Sequence, residues 1–265
     1  MRIPMYQVDA FTDKLFAGNP AAVCPLQQWL PDDQLQAIAT ENNLSETAFF
    51  IPNGNEYKLR WFTPATEVDL CGHATLATAF VIVSELAPEK REVRFQTRGG
   101  ELVVTRDGDR WMMNFPARPA AECAPHPDLI TGLGGNPEKV LAARDYLVVY
   151  RTEAEVRALR PNMDLLAKVD RFAVIVTAPS DQPDHAVDFV SRFFAPGKGV
   201  PEDPVTGSAH CTLIPYWAER LGNTELHALQ VSPRGGELWC RLLGNRVSMS
   251  GHAVLFFTGT IEIPG

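Results

Sequence analysis

No CxxC pair, no run of Lys or Arg, no low-complexity tract and no apolar stretch of bilayer length occurs in this chain of 265 residues. Each absence removes a class of protein. The five cysteines (Cys24, Cys71, Cys123, Cys211, Cys240) are odd in number and scattered. That fits a reducing compartment, with thiols used mainly as small apolar side chains. The net charge is −8 and the pI about 5.3. Without a basic stripe there is no electrostatic footprint for a phosphate backbone, so nucleic acid is not an expected partner. The longest apolar stretch, Ala74 to Val83, is about half of what a transmembrane helix needs and contains Thr75 and Thr78. It reads as a buried helix, and no membrane partner is expected. Met1-Arg2-Ile3-Pro4-Met5-Tyr6 shows no apolar signal core, and the combined expectation is a cytoplasmic protein.

What is present is an internal duplication. Arg98-Gly99-Gly100-Glu101-Leu102 recurs as Arg234-Gly235-Gly236-Glu237-Leu238, an offset of 235 − 99 = 136 that Gly108/Gly244, Arg110/Arg246 and Met113/Met249 share. Upstream, Trp61-Phe62-Thr63-Pro64 is answered by Phe193-Phe194-Ala195-Pro196. Each half is one unit of ordinary domain size, and the period is too long for a solenoid or propeller. The expectation is two lobes, residues 1–118 and 119–265, joined through the proline-rich stretch Pro116 to Pro127, with the last strand, from about residue 254, crossing to the first lobe. Duplicated lobes usually face each other across an approximate twofold axis.

Patterning predicts strands at 6–11, 47–51, 58–62, 93–97, 101–106 and 110–115, a turn at Phe16 to Pro20, and helices at Asp32 to Glu41 and His73 to Glu85. The second half repeats the order, with its long helix at Ser208 to Leu221. Both long helices are apolar on nearly every face and must be enclosed. The expected class is therefore α+β, a mostly antiparallel sheet wrapped around a central helix in each half.

Each central helix starts at a loop of small residues, Asp69-Leu70-Cys71-Gly72-His73-Ala74-Thr75 and Glu202-Asp203-Pro204-Val205-Thr206-Gly207-Ser208-Ala209. Glycine lets a ligand approach the backbone, and the first amides of a helix are free donors at its positive end. Two such ends aimed at one cleft would hold a small anionic substrate, most naturally a carboxylate. His73, Asp203 and Ser208 stand at those starts. Glu46, in Asn43-Leu44-Ser45-Glu46-Thr47-Ala48-Phe49-Phe50, opens an apolar strand, and with the halves aligned on Pro52 and Pro179 it falls opposite Ala173. The strand does not need an acid there, which sets Glu46 apart as a candidate acid/base.

With these residues in view, the chain resembles the PhzF-like phenazine-biosynthesis family. Val8-Asp9-Ala10-Phe11-Thr12, Gly18-Asn19-Pro20-Ala21, Ser45-Glu46-Thr47, Cys71-Gly72-His73-Ala74-Thr75 and Asp203-Pro204-Val205-Thr206-Gly207-Ser208 carry the resemblance from end to end. It implies the diaminopimelate-epimerase-like fold and a cofactor-free isomerase without a metal. In it Glu46 moves the proton and His73, Asp203 and Ser208 complete the catalytic set. Asn19, Gly72, Ala74 and Gly207 are the expected substrate-binding positions. A homodimer is the default expectation.

Three alternatives compete. A two-thiol racemase needs a Cys at each helix start; Cys71 lies at the first, whereas Cys211 is already a turn inside the second helix. A zinc site from Cys71, His73, His210 and Cys211 fails because adjacent residues on a helix point about 100° apart. A non-catalytic binder of small acids stays open, with Glu46 the feature that argues against it.

Overall fold

Residues 1–182 and 186–263 are described by the computed structural model. They form two compact units, Met1–Asn114 with Ser250–Gly265, and Phe115–Met249.

The first unit runs β1 (Arg2–Ala10), β2 (Asn19–Pro25), α1 (Asp32–Asn42), β3 (Glu46–Asn53), β4 (Glu56–Phe62), β5 (Glu67–Val68), α2 (Gly72–Val81), β6 (Glu92–Thr97), β7 (Gly100–Asp107) and β8 (Arg110–Pro116). The second contains β9 (Ala121–Glu122), α3 (Pro127–Leu133), β10 (Lys139–Ala142), β11 (Tyr146–Val149), α4 (Glu153–Ala158), α5 (Met163–Leu166), β12 (Val174–Pro179), β13 (Phe189–Ala195), β14 (Val200–Asp203), α6 (Gly207–Leu221), β15 (Glu225–Gln230), β16 (Gly236–Leu243) and β17 (Arg246–Gly251). The chain then returns to the first unit as β18 (Ala253–Glu262), antiparallel to β1.

The duplication is topological as well as sequential. In the first unit β1–β2 and β3–β4 are antiparallel, β2–β3 and β4–β6 parallel. In the second, β10–β11 and β12–β13 are antiparallel, β11–β12 and β13–β15 parallel. Register agrees too: Thr47 lies opposite Phe62, and Val174 opposite Phe194.

Three expectations shift. Phe16 to Pro20 is not all turn, because Asn19 and Pro20 begin β2. Pro20 fits there because pairing with β3 starts only at Ala21, opposite Glu46, so its missing N–H breaks no ladder on that side. The proline-rich stretch is more than a connection: from Phe115 it belongs to the second unit, and its β9 pairs with β10. The first central helix keeps α-geometry only to Val81 and widens into a π-turn, Ile82–Leu86, where the β-branched run Val81-Ile82-Val83 crowds the preceding turn.

Enclosure of the central helices dominates packing. In α2 every side chain from His73 to Ala79 is buried, together with Val81. Two of these are threonines, and each hydroxyl bonds back one turn, Thr75 Oγ1 to the Cys71 carbonyl at 2.5 Å and Thr78 Oγ1 to that of Ala74 at 2.7 Å. Polar atoms inside the core are thereby satisfied without breaking the helix. In α6, Trp217 stacks on Phe189 with centroids 5.3 Å apart and donates its indole N–H to Thr177 Oγ1 at 3.0 Å.

Each unit also repeats one charged device. Arg60 on β4 forms a two-pronged bond to Glu67 on β5, and Arg192 on β13 does the same to Glu202 on β14, both at 2.7 Å for the Nε contact. The guanidinium of each lies over the ring two residues on, Phe62 at 5.1 Å and Phe194 at 4.9 Å. Arg192 is only 9% exposed and Glu202 17%. Removing one partner from such a pair leaves a buried charge and is expected to cost about 3 to 5 kcal/mol. Glu202→Gln should therefore lower the unfolding midpoint sharply. Glu262→Gln, which breaks the surface pair with Arg2 at 78% and 73% exposure, should change it by less than about 0.5 kcal/mol. Comparable losses for the two variants in thermal or urea unfolding would contradict this reading.

Candidate active site

In the first unit the site is assembled where β2, β3 and α2 begin. Helix α1 ends on Asn43, left-handed at φ 49°, whose N–H caps the Ala39 carbonyl. That cap turns the chain within two residues into β3, so Glu46 is the first residue of the strand. Gly18, at φ 65°, turns the chain into β2 with Asn19 at its head. A Cβ there would run into the Ala10 carbonyl. Asp9, 2% exposed, holds the intervening loop by accepting the Phe16 N–H at 3.1 Å.

These elements bring Asn19, Glu46, Cys71 and His73 together. The imidazole is the hub. His73 Nε2 lies 3.1 Å from Glu46 Oε2, Asn19 Nδ2 lies 3.2 Å from His73 Nδ1, and Cys71 Sγ is 3.5 Å from the same nitrogen. His73 is 5% exposed. The Glu46 contact has the distance of an ion pair and not the angles of a hydrogen bond: neither Glu46 Oε2 nor His73 Nε2 has a hydrogen-bond partner among the described residues. Both atoms are buried and face each other.

Burial works against the His73 imidazolium, but its neighbours Cys71 and Glu46 outweigh it and hold the group well above its usual value. Burial, with the Glu46 charge added, pushes the Cys71 thiol up to about 11. At neutral pH that sulfur is a thiol, so Glu46 is the neighbour that sustains the His73 charge. In the neutral ring, an amide donor from Asn19 at Nδ1 leaves the proton on Nε2; in the charged ring both nitrogens carry one. Either way a proton on Nε2 faces Glu46.

The side-chain ligand atoms of Glu46, Cys71 and His73 all lie within 4.8 Å of one another, compact enough to suggest a metal. Their order argues for a chain instead: Glu46 addresses Nε2 and Cys71 addresses Nδ1, and one ion bonds only one ring nitrogen. Gly72 and Ala74 are the first and third residues of α2, where the amides have no acceptor four residues back.

In the second unit Asp203 closes β14, and Gly207 and Ser208 open α6 behind the N-cap Thr206. Gln230, at the end of β15 and 1% exposed, ties this loop down. Its Oε1 accepts the Thr206 N–H at 2.8 Å and its Nε2 donates to the Asp203 carbonyl at 2.7 Å. Thr206 Oγ1 donates to Asp203 Oδ2 at 2.5 Å. Ser208 Oγ accepts from Arg144 Nη2 at 3.2 Å. Sequence reasoning missed both Gln230 and Arg144. Neither lies in a motif, and each reaches the helix start only through sheet pairing. His210, fully buried, sends Nδ1–H to the Thr206 carbonyl at 2.9 Å, and burial lowers it to about 4. It is a neutral core histidine.

The predicted residues thus fall into two groups, each gathered within its own unit: Asn19, Glu46, Gly72, His73 and Ala74 in the first, Asp203, Gly207 and Ser208 in the second.

Comparison with known proteins gives the same direction. The family described as phenazine biosynthesis-like protein matches residues 8–259. An uncharacterized isomerase of Pseudomonas aeruginosa is 52% identical, covering 99% of this chain and 100% of its own. A crystal structure of a phenazine biosynthesis PhzF-family protein from Enterococcus faecalis superposes with a TM-score of 0.95 at 45% identity, over 99% of this chain and 100% of that one. At the level of fold alone, a hydroxyproline epimerase from Agrobacterium vitis aligns with a TM-score of 0.59 at 11% identity, over 98% of this chain and 92% of that one. The fold is the diaminopimelate-epimerase-like one that the resemblance implied.

His210 yields a pH prediction. Its folded value, about 4, lies below the ordinary 6.5. Between those values the unfolded chain binds the extra proton, so stability is complete above about 6.5 and falls as pH drops toward 4, by about 3 kcal/mol in all. Urea unfolding at a series of pH values should show His210→Leu with a shallower loss across this window than the parent. Identical slopes would remove His210 as the cause.

Proposed function

We propose that this chain, which belongs to the phenazine biosynthesis-like protein family and is an isomerase, moves a proton between two positions of one small carboxylate-bearing substrate, with Glu46 as the acid/base. The observation that carries this is the Glu46–His73 pair: a carboxylate oxygen and a ring nitrogen, both buried, 3.1 Å apart and lacking hydrogen-bond partners among the described residues. A carboxylate tied into a structural network is not free to exchange protons; this one is held by a single charge-bearing neighbour. His73 keeps a proton directed at Glu46 through Nε2, which orients the carboxylate and balances its charge while it takes and returns the substrate proton. His73 is in turn located by Asn19.

The reaction is balanced internally. Glu46 removes H⁺ from a carbon acid, the electron pair shifts along the substrate to a second carbon, and the resulting carboxylic acid delivers the same proton there. No redox partner is consumed. Within the second unit, the amides that open α6 and the Ser208 hydroxyl suit an anionic group, because free N–H groups at a helix start favour negative charge, and Asp203 holds that loop by accepting from Thr206.

Thiol chemistry is the weaker reading. Burial pushes Cys71 and Cys211 each up to about 11, so neither supplies the thiolate that a two-thiol racemase requires.

Carried out in deuterated water with a competent carbon acid, turnover by Glu46→Gln should fall by a factor of about 10² to 10⁴ with little change in substrate affinity. Gln keeps the size and one acceptor oxygen but cannot cycle a proton. Ser208→Ala should instead raise KM. Retention of parental turnover by Glu46→Gln together with its loss in Cys71→Ser would transfer the role to the thiol.

A further inference from the structure

One motif of the duplication takes no part in the chemistry at Glu46. Arg98-Gly99-Gly100-Glu101-Leu102 stands again as Arg234-Gly235-Gly236-Glu237-Leu238. In the first unit Arg98 and Gly99 are the turn between β6 and β7, closed by Thr97 Oγ1, which donates to the Gly100 carbonyl at 2.7 Å. That turn is seated on the loop leading into α2.

Two contacts seat it. Arg98 Nη1 lies 2.7 Å from Glu67 Oε2, on a carboxylate that already receives both prongs of Arg60. The Glu67 side chain is 12% exposed, and its strand pairs with Trp61 and Phe62 of β4, so β5 is held from two sides. Gly99 lies against the next stretch of backbone: a Cβ added to it would stand 2.8 Å from the Asp69 carbonyl oxygen, inside van der Waals contact. Gly99 does not have a positive φ, so glycine serves close approach there and not backbone freedom. Gly100 is the reverse case, at φ 111° with nothing within 4 Å of an added Cβ.

From Asp69 the chain runs through Leu70 and the N-cap Cys71 to Gly72 and His73. Glu46 comes from β3, which pairs with β4. The gap between Glu46 and His73 is therefore the gap between a sheet and a helix start that is tied to the same sheet through Asp69 to Gly72. With β5 held in place, the seat of the Asp69 carbonyl governs where that helix start lies.

The second unit supports the equivalent carbonyl by other means. Glu202, Pro204 and Thr206 stand where Glu67, Asp69 and Cys71 do, at an offset of 202 − 67 = 135. The Pro204 carbonyl accepts from Ser232 Oγ at 2.8 Å, and that oxygen accepts the N–H of Gly235, the twin of Gly99, at 3.1 Å. In both units this turn bears on the carbonyl two residues before the N-cap. The sequence repeats the motif, and the structure repeats its seat.

We infer that the Arg98-Gly99 turn is a brace that positions His73 against Glu46, with Arg98 holding the turn on Glu67 and Gly99 admitting the Asp69 carbonyl. Both are positioning residues, and their effect reaches the pair through Asp69 and Cys71. This assignment rests on the reading of Glu46 and His73 as the acting pair.

NMR of the His73 ring nitrogens reads the contact without a substrate, with the signals assigned by their loss in His73→Asn. In Glu46→Gln the ring loses its carboxylate, burial then favours the neutral form, and the two nitrogens separate in chemical shift. Gly99→Ala should bring the His73 signals nearer to those of Glu46→Gln than to the parent's. Gly100→Ala adds the same carbon one residue on but strains only the backbone; it should lower the unfolding midpoint and leave the His73 signals where the parent has them. Arg98→Gln should shift them in the direction of Gly99→Ala by a smaller amount, and Arg98→Lys should reverse part of that shift. If Gly99→Ala does not fold, the two Arg98 variants decide. Parental His73 signals in folded Gly99→Ala or in Arg98→Gln, an equal displacement in Gly100→Ala, or identical spectra for the parent and Glu46→Gln each overturn the inference. Proton exchange by Glu46→Gln is measured apart from this. Full exchange there rejects the acid/base reading and leaves the brace standing, whereas an undisturbed His73 in Gly99→Ala rejects the brace whatever Glu46 does.

Discussion

A helix that is apolar on nearly every side cannot lie on a surface, and most of this structure follows from enclosing two of them. Water must be kept from Leu76, Ala77 and Ala79 in α2 and from Leu213, Ile214 and Trp217 in α6. In each unit the strands pair in the same parallel and antiparallel order around that need. Enclosure also decides where chemistry can stand. Along the body of a buried helix a polar group has to bond inward, as Thr75 and Thr78 do, and only the first turn offers amides without helical acceptors. The candidate functional side chains therefore gather at the two helix starts.

The two starts are variations on one design. Gly72-His73-Ala74-Thr75 and Gly207-Ser208-Ala209-His210 occupy the same helical positions, behind the N-caps Cys71 and Thr206. The fourth residue does the same work in both: Thr75 Oγ1 and His210 Nδ1 each bond the N-cap carbonyl one turn back. The second residue has diverged. His73 faces an acid across the neighbouring strand, while Ser208 faces Arg144 and has Ala173 where the acid would be. One unit carries an acid beside an imidazole at its helix start, and the other an arginine beside a hydroxyl.

Much of this was legible in the residues. The repeat of Arg98-Gly99-Gly100 and Arg234-Gly235-Gly236 predicted the duplicated topology, because glycine turns and strand patterning are local properties. Glu46 and His73 were legible through asymmetry and motif. Strand β2 was not: with Ala21 to Cys24 buried on both faces it has no alternation to detect. The π-turn at Ile82–Leu86 was equally hidden, since it reflects crowding among β-branched side chains and no signal of composition.

The order of the sequence by itself determined the duplication, the enclosed helices and most of the long strands, and it marked Glu46 and His73 as candidates, all of which depend on near neighbours in the chain. Tertiary structure alone decided who meets whom. Asn19 reaches His73 across 54 positions and Arg144 reaches Ser208 across 64, and Arg118 is drawn to Cys211 because Pro215 leaves a carbonyl without a donor. Contacts of that kind follow from strand register and from a missing hydrogen bond elsewhere in the fold, so no local pattern in the sequence encodes them.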